Sequence, residues 1–121
     1  MTNHLLIVED EDVIRGALQR TLERAGFTIL EASSAEEAVA VALDNRATLR
    51  VVISDIVLPG VSGPQMAETL REVVPRARVI LMSGHAREHV LPDSDRSQLF
   101  IQKPFSNDDI IALARWALSN S

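Results

Sequence analysis

Five side chains form a set that could handle a phosphoryl group: Glu9, Asp10, Asp55, Ser83 and Lys103. Each stands just beyond, or at the end of, a short apolar run. Leu5-Leu6-Ile7-Val8 leads to Glu9-Asp10, Val51-Val52-Ile53-Ser54 to Asp55, Val79-Ile80-Leu81-Met82 to Ser83, and Leu99-Phe100-Ile101-Gln102 to Lys103. Three carboxylates brought to one edge would repel and raise one another's pKa values. A hard divalent cation resolves that conflict, and Mg²⁺ takes carboxylate, water and phosphate oxygens. A hydroxyl donor and an ammonium point charge complete a phosphate-handling set. Taken singly, each residue has a plainer reading. Asp10 or Asp12 could cap a helix, and a lone Ser or Lys at a strand end is usually a solvated loop residue. The joint arrangement is the specific one.

The elements that must position them alternate strand and helix. The continuous apolar run His4–Val8 reads as a buried strand, and Asp12 to Ala25 as a helix stopped by Gly26. Val13, Ile14, Ala17, Leu18, Thr21 and Leu22 share one face of that helix. Thr28–Glu31 is a second strand. Ser34 and Glu37 predict a capping box for a second helix, with Ala38, Val39, Ala42 and Leu43 inward. Val51–Ile53 is strand three, and Pro64 can sit in the first turn of a third helix. Ala77–Met82 and Leu99–Gln102 are strands four and five. Ser106 or Asn107 caps a last helix to about Ser119. The segment from His85 to Gln98 carries Pro92 and many charges, so the spacing predicts a fourth helix that is short, shifted or mobile. Alternation of this kind means a parallel sheet covered on both faces. Ligands of such sheets bind at the C-terminal strand edge, where all five residues fall.

The bulk properties restrict the possibilities. A chain of 121 residues is one domain. It has no cysteine, which excludes disulfides and thiolate metal sites. The net charge of −5, with no basic cluster, argues against direct nucleic-acid binding. No stretch reads as a signal peptide or membrane span, so a cytoplasmic location is expected.

Leu6-Ile7-Val8-Glu9-Asp10, Val52-Ile53-Ser54-Asp55-Ile56-Val57-Leu58-Pro59-Gly60, Leu81-Met82-Ser83-Gly84 and Lys103-Pro104-Phe105 resemble the receiver domain of two-component response regulators. The resemblance runs over essentially the whole chain. It implies a single receiver domain, residues 1–121, with a flavodoxin-like doubly wound five-stranded sheet of order 2-1-3-4-5 and about five helices. It implies Asp55 as phosphoacceptor, with Asp10, Asp55 and the backbone carbonyl of Val57 on Mg²⁺ and Glu9 acting through a metal-bound water. Ser83 would bond a phosphoryl oxygen, Lys103 would pair with Asp55 and then the phosphate, and Phe100 would be the aromatic switch. Lys103–Pro104 would be a cis peptide. The implied partner is a histidine kinase or histidine phosphotransfer protein, docked around Ile14, Ala17, Pro104 and Phe105 on a monomer. The chain departs from its relatives in Glu9, where aspartate is more usual, in the absence of a hydroxyl on Phe100, and in the weak fourth helix. The resemblance fits a stand-alone receiver or the receiver of a hybrid sensor histidine kinase. The Ser83-Gly84-His85 run leans toward the latter.

Two other functions compete. A Mg²⁺ phosphohydrolase using Asp55 as nucleophile would carry a second acid two residues on, where this chain has Val57. A degenerate receiver that binds without phosphorylation would not need the intact set of five. His85 and His89 could share a helical face and bind zinc, but exposed histidines are the plainer reading. Trp116 reads as packing rather than recognition.

Overall fold

Each continuous apolar run forms a strand, and each amphipathic stretch a helix. A computed structural model of the chain describes residues 3–90 and 98–121. The order is β1 (His4–Val8), α1 (Asp12–Arg24), β2 (Thr28–Ala32), α2 (Ala35–Asp44), β3 (Leu49–Asp55), α3 (Gly63–Val73), β4 (Arg78–Ser83), α4 (Arg87–Val90), β5 (Leu99–Gln102) and α5 (Asn107–Ser119). The five strands are all parallel, in the order β2-β1-β3-β4-β5. This is the expected doubly wound topology, and its strand order reverses at β1.

The strands carry apolar side chains on both faces, so two cores form. Leu5, Ile7, Val51, Ile53, Ile80 and Met82 face α1 and α5, where they meet Leu18, Leu22, Ile110, Ala114 and Ala117. Leu6, Val8, Val52, Val79 and Leu81 face α2 and α3, where they meet Ala38, Ala42, Met66, Ala67 and Leu70. Fully burying an aliphatic side chain contributes about 1.5–3 kcal/mol, and the buried strand residues together fix the sheet.

Some expectations change. β3 begins at Leu49, two residues before the predicted start. Val13 is 82% exposed and Leu43 45%. Of the predicted α1 face, only Leu18 and Leu22 are buried. The N-cap of α1 is Glu11, with no side-chain cap bond, so neither Asp10 nor Asp12 caps it. Ser34 caps α2 by accepting from the Glu37 amide, while the Glu37 carboxylate accepts from Ser33, so the reciprocal half of the box is not made. Ser106, not Asn107, caps α5. α4 is a single turn within the described residues. The rest of the segment expected to be short, shifted or mobile, 91–97, lies outside the described residues. His85 precedes α4 and His89 lies in it, so they do not share a helical face. Trp116 is half exposed, with the Arg78 guanidinium 5.2 Å from its ring centroid. Among the described residues no helix is long and apolar enough to cross a membrane.

Candidate functional site

Strand register brings the site together. Val8 lies opposite Ser54, so Glu9 and Asp55 follow side by side at the switch point. Asp55 lies opposite Met82, the residue before Ser83, and Ser83 lies opposite Gln102, the residue before Lys103. The backbone cross-links the same edge: the Ile56 amide donates to the Met82 carbonyl at 3.0 Å, and the Lys103 amide to the Ser83 carbonyl at 2.8 Å.

Asp55 is the centre. Lys103 Nζ lies 2.8 Å from its Oδ2, and the Val57 amide donates to its Oδ1 at 3.2 Å. A charge-assisted bond of this length holds the carboxylate in one orientation. The Lys103–Pro104 peptide is cis, as the resemblance implied. Ser83 is buried, and its Oγ accepts from the His85 amide at 3.0 Å. Phe100 is half-buried on β5 and packs against the α2–α3 core.

Glu9 was not expected to be buried, yet it is only 1% exposed. Its Oε1 accepts from the Glu11 amide at 3.3 Å. Its Oε2 is buried with no hydrogen-bond partner among the described residues. Burial pushes its pKa from 4.5 up to about 7; the Glu11 amide opposes this, Asp55 adds to it and Lys103 opposes it. A buried carboxylate oxygen without a donor, beside a second carboxylate, is what a site for a hard cation presents when the charge is uncompensated. The donor set of carboxylates and a carbonyl suits Mg²⁺.

The gathering of three carboxylates is incomplete, however. Asp10 is exposed, and among the described residues no three His, Cys, Asp or Glu side chains are grouped so as to hold an ion. Glu9 and Asp55 adjoin because their strands are paired. Asp10 lies two residues past the end of β1, where no ladder bond holds it. Among the described residues, His85 and His89 belong to no such group either.

Two residues that sequence reasoning missed complete the frame. Gly63 opens α3, and its amide donates to the Ile56 carbonyl at 2.8 Å. A Cβ there would lie 2.5 Å from the Asp55 carbonyl oxygen and 2.9 Å from Ile56 Cα. Backbone cannot yield as a side-chain tip can. Gly63→Ala is therefore expected to destabilise the fold by about 1–3 kcal/mol, read as a lower urea midpoint; an unchanged midpoint would contradict this close approach. Arg15 on α1 reaches back to the Glu9 carbonyl. Its signal was a lone base soon after a run of acids.

Beside the site runs a groove of about 390 Å³ between α1 and the segment after β5. Ile14, Ala17, Pro104 and Phe105, the four residues expected around a docked partner, all line it, with exposed Val13 at the rim and Lys103 reaching in from the site.

The chain is similar to known proteins. The response regulator receiver domain profile matches residues 5–115. The chain is 36% identical over 105 residues to the sensor kinase CckA of Brucella abortus, covering 84% of this chain and 11% of that protein. It is 36% identical over 112 residues to the transcriptional regulatory protein SrrA of Staphylococcus aureus, covering 92% of this chain and 46% of that one. The chain thus spans less than half the length of these curated relatives. Among solved structures, the receiver domain from the hybrid histidine kinase CckA superposes with a TM-score of 0.82 at 30% identity, covering 96% of this chain and 99% of that one.

Proposed function

Because the chain belongs to the response regulator receiver domain family, whose members act as phosphoacceptors in two-component signalling, we propose that Asp55 is the residue that takes the phosphoryl group. The observation that carries this is the Lys103–Asp55 ion pair at 2.8 Å, set beside a buried Glu9 oxygen that has no donor among the described residues. Histidine kinases are the partners that the family implies. The donor is a phosphohistidine on such a kinase or on a histidine phosphotransfer protein.

An Asp55 carboxylate oxygen attacks phosphorus, an acyl phosphate O–P bond forms, and the P–N bond breaks with its electron pair left on the imidazole. Lys103 keeps the carboxylate oriented before transfer and offsets phosphoryl charge after it. Asp10, Asp55 and the Val57 carbonyl would hold Mg²⁺, with Glu9 acting through a bound water. The ion would supply positive charge to the equatorial oxygens. The Asp10 side chain must turn inward to take part. The modification adds a charge of about −1.5 to −2. Ser83, buried at the next strand end, then turns to donate to a phosphoryl oxygen, and Phe100 moves into the space it leaves. That is a two-state element biased by a local charge.

The whole of 1–121 acts as one receiver domain, a monomeric cytoplasmic module that catalyses only its own phosphorylation and dephosphorylation. Val57, exposed and apolar, stands where a phosphohydrolase would need a second acid. The likeness to CckA favours the receiver of a hybrid kinase over a stand-alone one, and the sequence flanking this chain in its full-length product tests that choice.

One paired experiment tests the function. Acetyl phosphate with Mg²⁺ should add a hydroxylamine-labile phosphoryl mass at Asp55, and chelation should remove the reaction. Labelling that persists in excess chelator would overturn the Mg²⁺ reading. In the same assay Ala17→Glu, in the groove, should slow transfer from a phosphohistidine donor while leaving acetyl phosphate labelling intact. Equal loss with both donors would argue against docking there.

A further inference from the structure

We propose that Arg15 is a positioning residue for the cation site, acting through the main chain between Glu9 and Asp10 rather than through its charge. The proposal rests on the Mg²⁺ reading of the site given above.

Arg15 Nη1 donates to the Glu9 carbonyl at 2.8 Å, and Nη2 to Asp12 Oδ1 at 2.6 Å. Nε lies 3.7 Å from Glu31 Oε1 at the end of β2. The guanidinium side chain is only 19% exposed. It therefore bridges the end of β1, the first turn of α1 and the end of β2 with one planar fork. The Glu9 carbonyl belongs to the peptide plane that carries the Asp10 amide. The other side of that residue is also tied, because the Glu9 amide donates to the Ala32 carbonyl at 3.0 Å. With both main-chain groups of Glu9 held, the direction in which Asp10 leaves the strand is set. Asp10 is the proposed ligand that no ladder bond orients, so its entry to the site depends on this peptide.

The Arg15 cation is paired with Asp12 and Glu31, whereas Lys103 is the cation paired with Asp55. The Arg15 pairs are exposed on the acid side and contribute little to stability.

The two possible roles predict opposite signs. On charge alone, removing a cation near the site tightens Mg²⁺ binding. On positioning, it weakens it, and loss of a group that orients a metal ligand costs affinity by about 10-fold. The test is calorimetric titration of the full chain with MgCl₂ at fixed ionic strength, well below the melting temperature. Arg15→Ala and Arg15→Lys should both raise the Mg²⁺ Kd by about 10-fold, the lysine variant keeping the charge but losing the fork. Glu31→Gln, which removes an ion-pair partner and keeps the Glu9 contact, should stay within about twofold of the parent. An Arg15→Ala Kd equal to or tighter than the parent's overturns the positioning role alone. A parent chain that gives no Mg²⁺ binding overturns the reading beneath it, and this inference with it.

Discussion

Glu9→Gln is expected to raise the melting temperature of the metal-free protein at pH 8 and to remove most of its response to Mg²⁺. The two effects have one cause. Glu9 is 1% exposed, and its Oε2 has no donor among the described residues. Its pKa is raised from 4.5 to about 7, first by burial and then by Asp55. The folded protein therefore prefers the neutral acid more strongly than the unfolded chain does. That preference stabilises the fold fully below pH 4.5 and is lost as pH rises through about 7. The displacement corresponds to about 3 kcal/mol. At pH 8 the wild-type chain carries this uncompensated charge and the amide variant does not. Mg²⁺ binding to the native state should return stability to the wild type, and far less to the variant. Thermal melts at pH 5 and pH 8, with and without Mg²⁺, read all four states. A variant no more stable than wild type at pH 8 would mean that the buried carboxylate is already compensated.

This residue also marks where sequence reading stopped. Glu9 was legible as a member of the acidic set, because it follows a continuous apolar strand. Its burial was not, because that depends on how β2, β3 and the first turn of α1 close over it. The same division holds elsewhere. Asp55, Ser83 and Lys103 were legible because strands of similar length in one parallel sheet end at one edge. Their register, Val8 against Ser54 and Ser83 against Gln102, turned that likelihood of position into contact. Val13 stands one turn before Ala17 on the side of α1 that the spacing reads as apolar, yet is 82% exposed. Periodicity gives the phase of a face, but not how far along the helix its neighbours extend. Val13, in the first turn of α1, lines the groove, while its neighbour Ile14 packs against the core. Gly63 looked like one more loop residue. Only the approach of the Asp55 carbonyl to its α-carbon shows why a side chain is excluded. Arg15 has partners on three elements, and no local pattern announces that.

Asp55→Asn should abolish labelling by acetyl phosphate, the largest effect expected of any single substitution here. An amide nitrogen cannot serve as the nucleophile, and the amide oxygen has lost the charge that Lys103 holds in place at 2.8 Å. The same substitution should also move Glu9. Burial still raises the Glu9 pKa, but the contribution from Asp55 disappears while that of Lys103 persists. The folded-state pKa of Glu9 must fall, so the loss of stability with rising pH should be smaller and should come at lower pH than in the wild type. These two readouts separate the roles of the acids. Glu9 is the buried carboxylate that remains at this edge once Asp55 is gone, and it lies under the influence of the same lysine. A variant still phosphorylated at the wild-type level would overturn the assignment of Asp55, and mapping the modified peptide to Glu9 would identify the replacement. A variant that is unlabelled, yet keeps the wild-type pH dependence, would leave the acceptor in place but show that Asp55 and Glu9 do not share a field. Loss of labelling together with a shifted pH profile is what a single site, built from both strand ends and Lys103, requires.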